Sequence, residues 1–213
     1  MPVPEHTRYI DNPVASDSLF PMALHKILTY PDPFLRKKCA PVEEIDGEVL
    51  RLLDDMAETM YGARGVGLAA SQIGVDKRVV VVDISPRNTG ADEGEGEEGA
   101  DEAEYEGPGL IELINPEIIS SGGEVVAEEA CLSIPGFTSD VKRKQRVVIE
   151  AYNREGELME IEAEELLARV FQHEIDHLDG VLFIDRLPRL KRELIKRKIE
   201  KELGKEEKRY AVL

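Results

Sequence analysis

Apolar side chains recur with two different periods along this chain. Over residues 46–61 they fall at helical spacing, with Val49, Leu52, Leu53 and Met56 on one side, which predicts an N-terminal helix. Runs rich in Val and Ile then predict strands over residues 78–84, 110–115, 118–133, 146–152 and 158–163. The helical period returns over residues 164–179. With Leu166 as origin and about 100° per residue, Val170 falls near 40°, His173 near 340° and His177 near 20°, all on one face. Leu167, Phe171, Ile175 and Leu178 cover much of the rest, leaving Arg169, Gln172, Asp176 and Asp179 as a narrow polar strip. Such a helix is largely buried. Beyond it, Leu187, Leu190, Leu194, Ile195, Ile199 and Leu203 drift around the axis of a charged C-terminal helix. Strands joined by short turns ahead of a buried helix predict an α+β fold, with antiparallel β-sheets around that helix, an N-terminal helix and a C-terminal amphipathic helix.

Two imidazoles on an apolar face need partners, and residues His173-Glu174-Ile175-Asp176-His177 suggest what those are. Residues four apart on a helix lie about 40° apart around the axis and about 6 Å along it, so His173 and His177 can converge on one ion. Glu174 then stands beside that ion, where a carboxylate can take a proton from water and return it to a leaving group. A catalytic first-row metal usually takes three protein ligands, and the spacing leaves the third open between Cys131 and a downstream acid, of which Asp185 is the nearest. Cys131 sits between a strand-like run and the Pro135-Gly136 turn, whereas Cys39 is flanked by lysine and reads as an ordinary small buried residue.

Three blocks in order, Gly65-Val66-Gly67-Leu68-Ala69-Ala70-Ser71-Gln72, Glu129-Ala130-Cys131-Leu132-Ser133 and Gln172-His173-Glu174-Ile175-Asp176-His177-Leu178-Asp179-Gly180, resemble the peptide deformylase family, over about residues 25–190. The resemblance implies that Cys131, His173 and His177 bind one divalent metal ion, Fe²⁺ in the cell with Zn²⁺ or Ni²⁺ as alternatives, and that Glu174 is the general base and then acid. It implies that the Gln72 side chain and the Leu132 N–H stabilise an oxyanion. Gly65 and Gly67 are expected to let a peptide approach as an added strand, and Val66, Leu166 and Val170 to receive a methionine side chain. Glu129 and Arg143 resemble an ion pair that holds the cysteine strand. The implied reaction is removal of the formyl group from the formyl-methionine of nascent polypeptides, with formate released. Ala130 stands where the family usually has glycine, which puts a positive φ or a close approach of substrate in question. Two other readings of the same helix are a metallopeptidase with its third ligand downstream and a non-catalytic peptide or ribosome binder.

Composition refines this without producing it. With 213 residues and 42% hydrophobic content, one catalytic domain over residues 23–204 is expected, after an extension over 1–22 and before a flexible tail over 205–213. No run has the length of a membrane-spanning helix, no basic start precedes an apolar stretch, and two cysteines give no disulfide framework, so the cytoplasm is the expected location. The net charge of −17 is concentrated: residues 91–107 hold nine acids and no base, and without them the charge is −8. That composition predicts a disordered insertion over 88–109 at a hairpin tip. Residues 189–209 reverse the sign, with ten Lys or Arg against five Glu, a net of +5 that suits docking on ribosomal RNA. No membrane or DNA partner is expected.

Overall fold

The computed structural model describes residues 24–85 and 108–210. The elements are α1 (Gly47–Gly62), β1 (Gly67–Ala69), β2 (Val79–Val82), β3 (Ile111–Gly122), β4 (Val125–Ala130), β5 (Thr138–Arg143), β6 (Arg146–Tyr152), β7 (Leu158–Glu164), α2 (Glu165–Leu178) and α3 (Arg189–Tyr210). The class is α+β. Five strands form one antiparallel sheet in the order β1-β2-β3-β6-β7, and β4 pairs with β5 in a second sheet.

Alternation along β2 explains where the helices go. Val79 and Val81 pack with Val49, Leu53, Met56 and Met60 of α1, while Val80 and Val82 pack with Val170, Phe171, Ile175 and Leu178 of α2. The larger sheet is therefore covered by α1 on one face and α2 on the other, and all four valines are fully buried. Each such side chain contributes about 1.5–3 kcal/mol relative to exposure. A third cluster joins Leu35, Cys131, Ile134, Val141 and Phe183 to Ile195 and Ile199 of α3. α1 starts where the Asp46 carboxylate accepts hydrogen bonds from the N–H groups of Glu48 and Val49 at 2.9 and 3.0 Å.

Four expectations need correction. The strands expected over 110–115 and 118–133 are divided elsewhere: β3 continues through Pro116 to Gly122, with register shifts after Ile114 and Ile118, and the chain reverses at Gly122 and Gly123 before β4. Pro116 is tolerated because the ladder is already irregular there, with Asn115 at φ 53°. The strands β1 and β5 were not expected. In β5 the inward positions are Ser139, Val141 and Arg143, so alternation of hydrophobicity is hidden by a buried serine and arginine. Lastly, α3 spans Arg189–Tyr210, so Leu187 precedes it rather than belonging to it. The N-terminal extension lies outside the described residues, as does the acidic insertion apart from residues 108–109. The connection carrying the insertion joins β2 to β3, whose ends pair directly at Val82 and Ile111.

Candidate active site

Two elements meet at one point. Cys131 follows the end of β4 in a turn closed by the Ile134 N–H donating to the Cys131 carbonyl at 2.9 Å. α2 brings His173 and His177 to the same place from the other side, one helical turn apart. Cys131 Sγ lies 3.2 Å from His177 Nε2, and one ligand atom from each of Cys131, His173 and His177 falls within 4.8 Å of the other two. All three residues are buried. A thiolate and two neutral imidazoles at this separation can share one divalent ion and leave a coordination position open.

The surroundings of the cluster fit a cation. His173 Nδ1 lies 3.0 Å from Glu129 Oε2, and because a carboxylate only accepts, the ring donates there and turns Nε2 toward the cluster. Burial opposes a proton on His173, yet its contacts with Cys131 and Glu129 override that and push its pKa well above the ordinary imidazole range. The charges that favour an imidazolium favour a metal ion in the same place. His177 goes the other way: burial and the His173 ring depress it well below its usual value, so it is neutral and able to ligate. Its Nδ1 has no hydrogen-bond partner among the described residues. Phe183 stacks behind His173 with ring centroids 6.4 Å apart.

Glu129 is itself held. Arg143 donates to its two oxygens at 2.8 and 3.0 Å, and its carboxyl falls to about 2, burial being outweighed by the hydrogen bonds from His173 and Arg143. Arg143 also donates to Asp176 at 2.5 Å, and Asp176 in turn accepts from Arg186 Nε at 3.0 Å. The polar strip expected on α2 is thus partly interior. Asp176 and Gln172 are buried, the latter accepting from the Lys144 N–H at 2.9 Å and donating to the Lys144 carbonyl at 2.8 Å. Asp176 and Gln172 are members of the site's support that periodicity assigned to the polar strip, and Arg186 joins them with no sequence signal of its own, since the partners lie on other elements.

Glu174 Oε2 is buried without a hydrogen-bond partner among the described residues, and burial raises its carboxyl to about 7. A metal ion beside it would favour the ionised form again. A Cβ placed on Gly67 would come within 2.6 Å of Glu174 Oε1, so the close approach this glycine allows is that of Glu174. Gly65 similarly leaves room for Leu132, whose Cδ1 would lie 2.7 Å from such a Cβ. Gln72 is fixed from behind: its Oε1 accepts from the Ala69 N–H at 2.8 Å, so its amide NH₂ faces Ser133 Oγ at 3.2 Å and Cys131 Sγ at 3.9 Å. Ser133 carries no sequence signal for this contact.

These side chains line a cavity of about 410 Å³ that includes Gly65, Val66, Gly67, Gln72, Leu132, Leu166, Val170, His173 and Glu174, with Cys131 at its wall. Val66 and Leu166 are half exposed and Val170 is buried, as befits a mouth and an inner wall. Ala130 lines the same cavity as the last residue of β4, paired with Thr138. It is not among the residues with positive φ, so the methyl group meets no backbone penalty there. Asp185, the other possible third ligand, is elsewhere: it pairs with Arg36 and accepts from the Leu182 N–H at 2.9 Å.

The chain matches the sequence pattern of the family described as Polypeptide deformylase over residues 24–193. It is 50% identical over 179 residues to a peptide deformylase of Thermodesulfovibrio yellowstonii, covering 84% of this chain and 98% of that one. A peptide deformylase of Alkalilimnicola ehrlichii is 51% identical over 180 residues, covering 84% and 91%. The crystal structure of a peptide deformylase from Legionella pneumophila superposes with a TM-score of 0.71 at 44% identity, over 86% of this chain and 98% of that one.

Proposed function

The chain belongs to the polypeptide deformylase family, and from that premise we propose how its residues divide the work of the reaction. It is a metal-binding hydrolase that removes the N-formyl group from the formyl-methionine of nascent polypeptides and releases formate. The observation that carries the residue assignment is the convergence of Cys131, His173 and His177 within 4.8 Å beside an unpartnered Glu174 oxygen.

Cys131, His173 and His177 hold the metal. When bound, a divalent ion supplies Lewis acidity and lowers the pKa of a coordinated water towards about 7. Glu174 accepts a proton as water attacks the formyl carbon, and passes it to the amine nitrogen as the C–N bond breaks, so formate and a free N-terminus leave. Charge gathers on the former carbonyl oxygen. The Gln72 amide, held by Ala69, and the Leu132 N–H receive it, donors of a kind worth about 10²–10³ in rate each. The methionine side chain enters between Val66, Leu166 and Val170. β1 is an edge strand of the larger sheet, so an extended peptide can lie along Gly65–Gly67 as a further strand. Glu129 and Arg143 keep His173 oriented. Formate release from an amidated formyl-Met-Ala-Ser peptide tests the reading; metal-loaded, folded protein that releases none would overturn it.

The metal in the cell is Fe²⁺ in this reading, with Zn²⁺ or Ni²⁺ accepted by the same thiolate and imidazole donors. Elemental analysis of protein purified without oxygen decides between them. The enzyme works in the cytoplasm, where formylated nascent chains emerge, and α3 docks it on the ribosome. Supporting this, Arg197, Lys198 and Lys201 of α3 are exposed while Ile195 and Ile199 face the core. Truncation after Leu190 would strip those isoleucines from the cluster that contains Cys131, so the cleaner test reverses the three cations to Glu. Salt-sensitive ribosome association should weaken while activity on free peptides persists.

A further inference from the structure

The mouth of the cavity carries charge that the reaction does not use. Arg64 precedes the glycine block and Arg169 lies on α2, and both line the cavity that holds Val66, Leu166 and Val170. Arg64 is exposed and Arg169 half-buried. Elsewhere Arg36, Arg78, Arg143, Arg154 and Arg186 each hold a carboxylate. Neither Arg64 nor Arg169 is ion-paired among the described residues. Arg169 Nη1 reaches only the Glu128 carbonyl, at 3.5 Å. The exposed acid among the lining residues is Glu128, whose Oε1 accepts from Thr138 Oγ1 at 2.9 Å, so the mouth holds two positive charges against one negative. Arg64 also keeps a left-handed φ of 55°, uncommon for a bulky residue and frequent at ligand-binding positions.

We propose that Arg64 and Arg169 form an acid-selecting subsite for the third residue of the substrate, favouring Asp or Glu there. This rests on the deformylase reading. In an extended peptide alternate side chains share a side and stand about 7 Å apart. If residue one sends its methionine between Val66, Leu166 and Val170, residue two points away and residue three returns to the same wall, where the two guanidiniums wait. The preference is opposite to what the whole molecule would impose, because a chain of net charge −17 repels acidic peptides. A local cationic pair is the feature that reverses it.

The test compares kcat/KM for C-terminally amidated formyl-Met-Ala-Asp, formyl-Met-Ala-Ser and formyl-Met-Ala-Lys on the metal-loaded full chain. At low salt Asp should exceed Lys by about tenfold, as two partly exposed charge contacts allow, and the ratio should shrink towards one at high salt. Moving Asp to position two should abolish the advantage. Arg64→Glu and Arg169→Glu should each lower the Asp-to-Lys ratio, and together invert it. An Asp-to-Lys ratio of one or below in the wild type, or an equal advantage at position two, overturns the subsite. Formate release from the Ser peptide keeps the two ideas apart: its absence defeats the deformylase assignment, whereas its presence without an acid preference defeats only this inference.

Discussion

α2 and α3 are both helices rich in charge, yet they use it in opposite ways. On α2 the polar residues Gln172, His173, Glu174, Asp176 and His177 are all buried, and most are tied to β4, β5 or the turn beyond. On α3 most charges over residues 189–202 face outward, and Ile195 and Ile199 are what attach it. The two carboxylates buried on α2 therefore differ in kind: Asp176 is a structural ion-pair member and Glu174 has an oxygen kept without a partner among the described residues. The second state is costly to maintain and has a use only where a proton must move.

The largest effect expected from that contrast is at Glu174. Glu174→Gln keeps shape and burial but cannot shuttle a proton, so turnover should drop by about 10²–10⁴-fold while metal content stays at the wild-type level. Paired formate and metal assays check it. Near-normal turnover would make Glu174 another buried structural acid and erase the distinction from Asp176.

Breaking the paired part of α2 should instead be read in stability. Arg143→Ala leaves buried Glu129 with His173 alone and buried Asp176 with Arg186 alone, and taking one partner from a buried ion pair is a change of the kind that costs about 3–5 kcal/mol. It also loosens the carboxylate that orients His173, so metal affinity should fall by about 10–100-fold. Denaturant midpoints and a chelator competition measure the two separately. A loss under about 1 kcal/mol would show that the network contributes little beyond its own desolvation.

For α3 the sensitive position is apolar. Ile199→Ala removes a buried side chain packed in the cluster with Leu35 and Phe183, and should cost about 2 kcal/mol. If the midpoint shifts by less than about 0.5 kcal/mol, α3 does not dock as described, and its outward cations lose the platform that presents them.

This contrast also marks what can be read from residues in order. The apolar face of α2, its two histidines and the strand at residues 146–152 were legible because period and spacing are local properties. Burial of Asp176 and Gln172 was not, because Arg143, Arg186 and the Lys144 backbone satisfy them from other elements. The same holds for β5, whose inward Arg143 hides the hydrophobic alternation; the resemblance paired it with Glu129, but Asp176 is a partner that only the fold supplies. Spacing alone left Cys131 and Asp185 both open as third ligands, with Cys131 in the better local context, and the chain's path separates them: one joins the histidines and the other joins Arg36. A further demand on Gly67 was hidden for a similar reason, since the atom that needs its missing Cβ belongs to a residue over a hundred positions away.

The smallest effect belongs to the outer face of α3. Lys198 is exposed and sits one turn before Glu202, an arrangement worth at most about 0.5 kcal/mol and less in this Lys-before-Glu order. Alanine has the higher helix propensity, which offsets part of whatever the pair contributes. Lys198→Ala should therefore shift the denaturant midpoint by less than about 0.5 kcal/mol, against the about 2 kcal/mol expected for its neighbour Ile199. Equal losses at the two positions would mean that the outward side of α3 is packed as closely as the inward one. The face proposed to meet the ribosome would then be an interior surface of the enzyme itself.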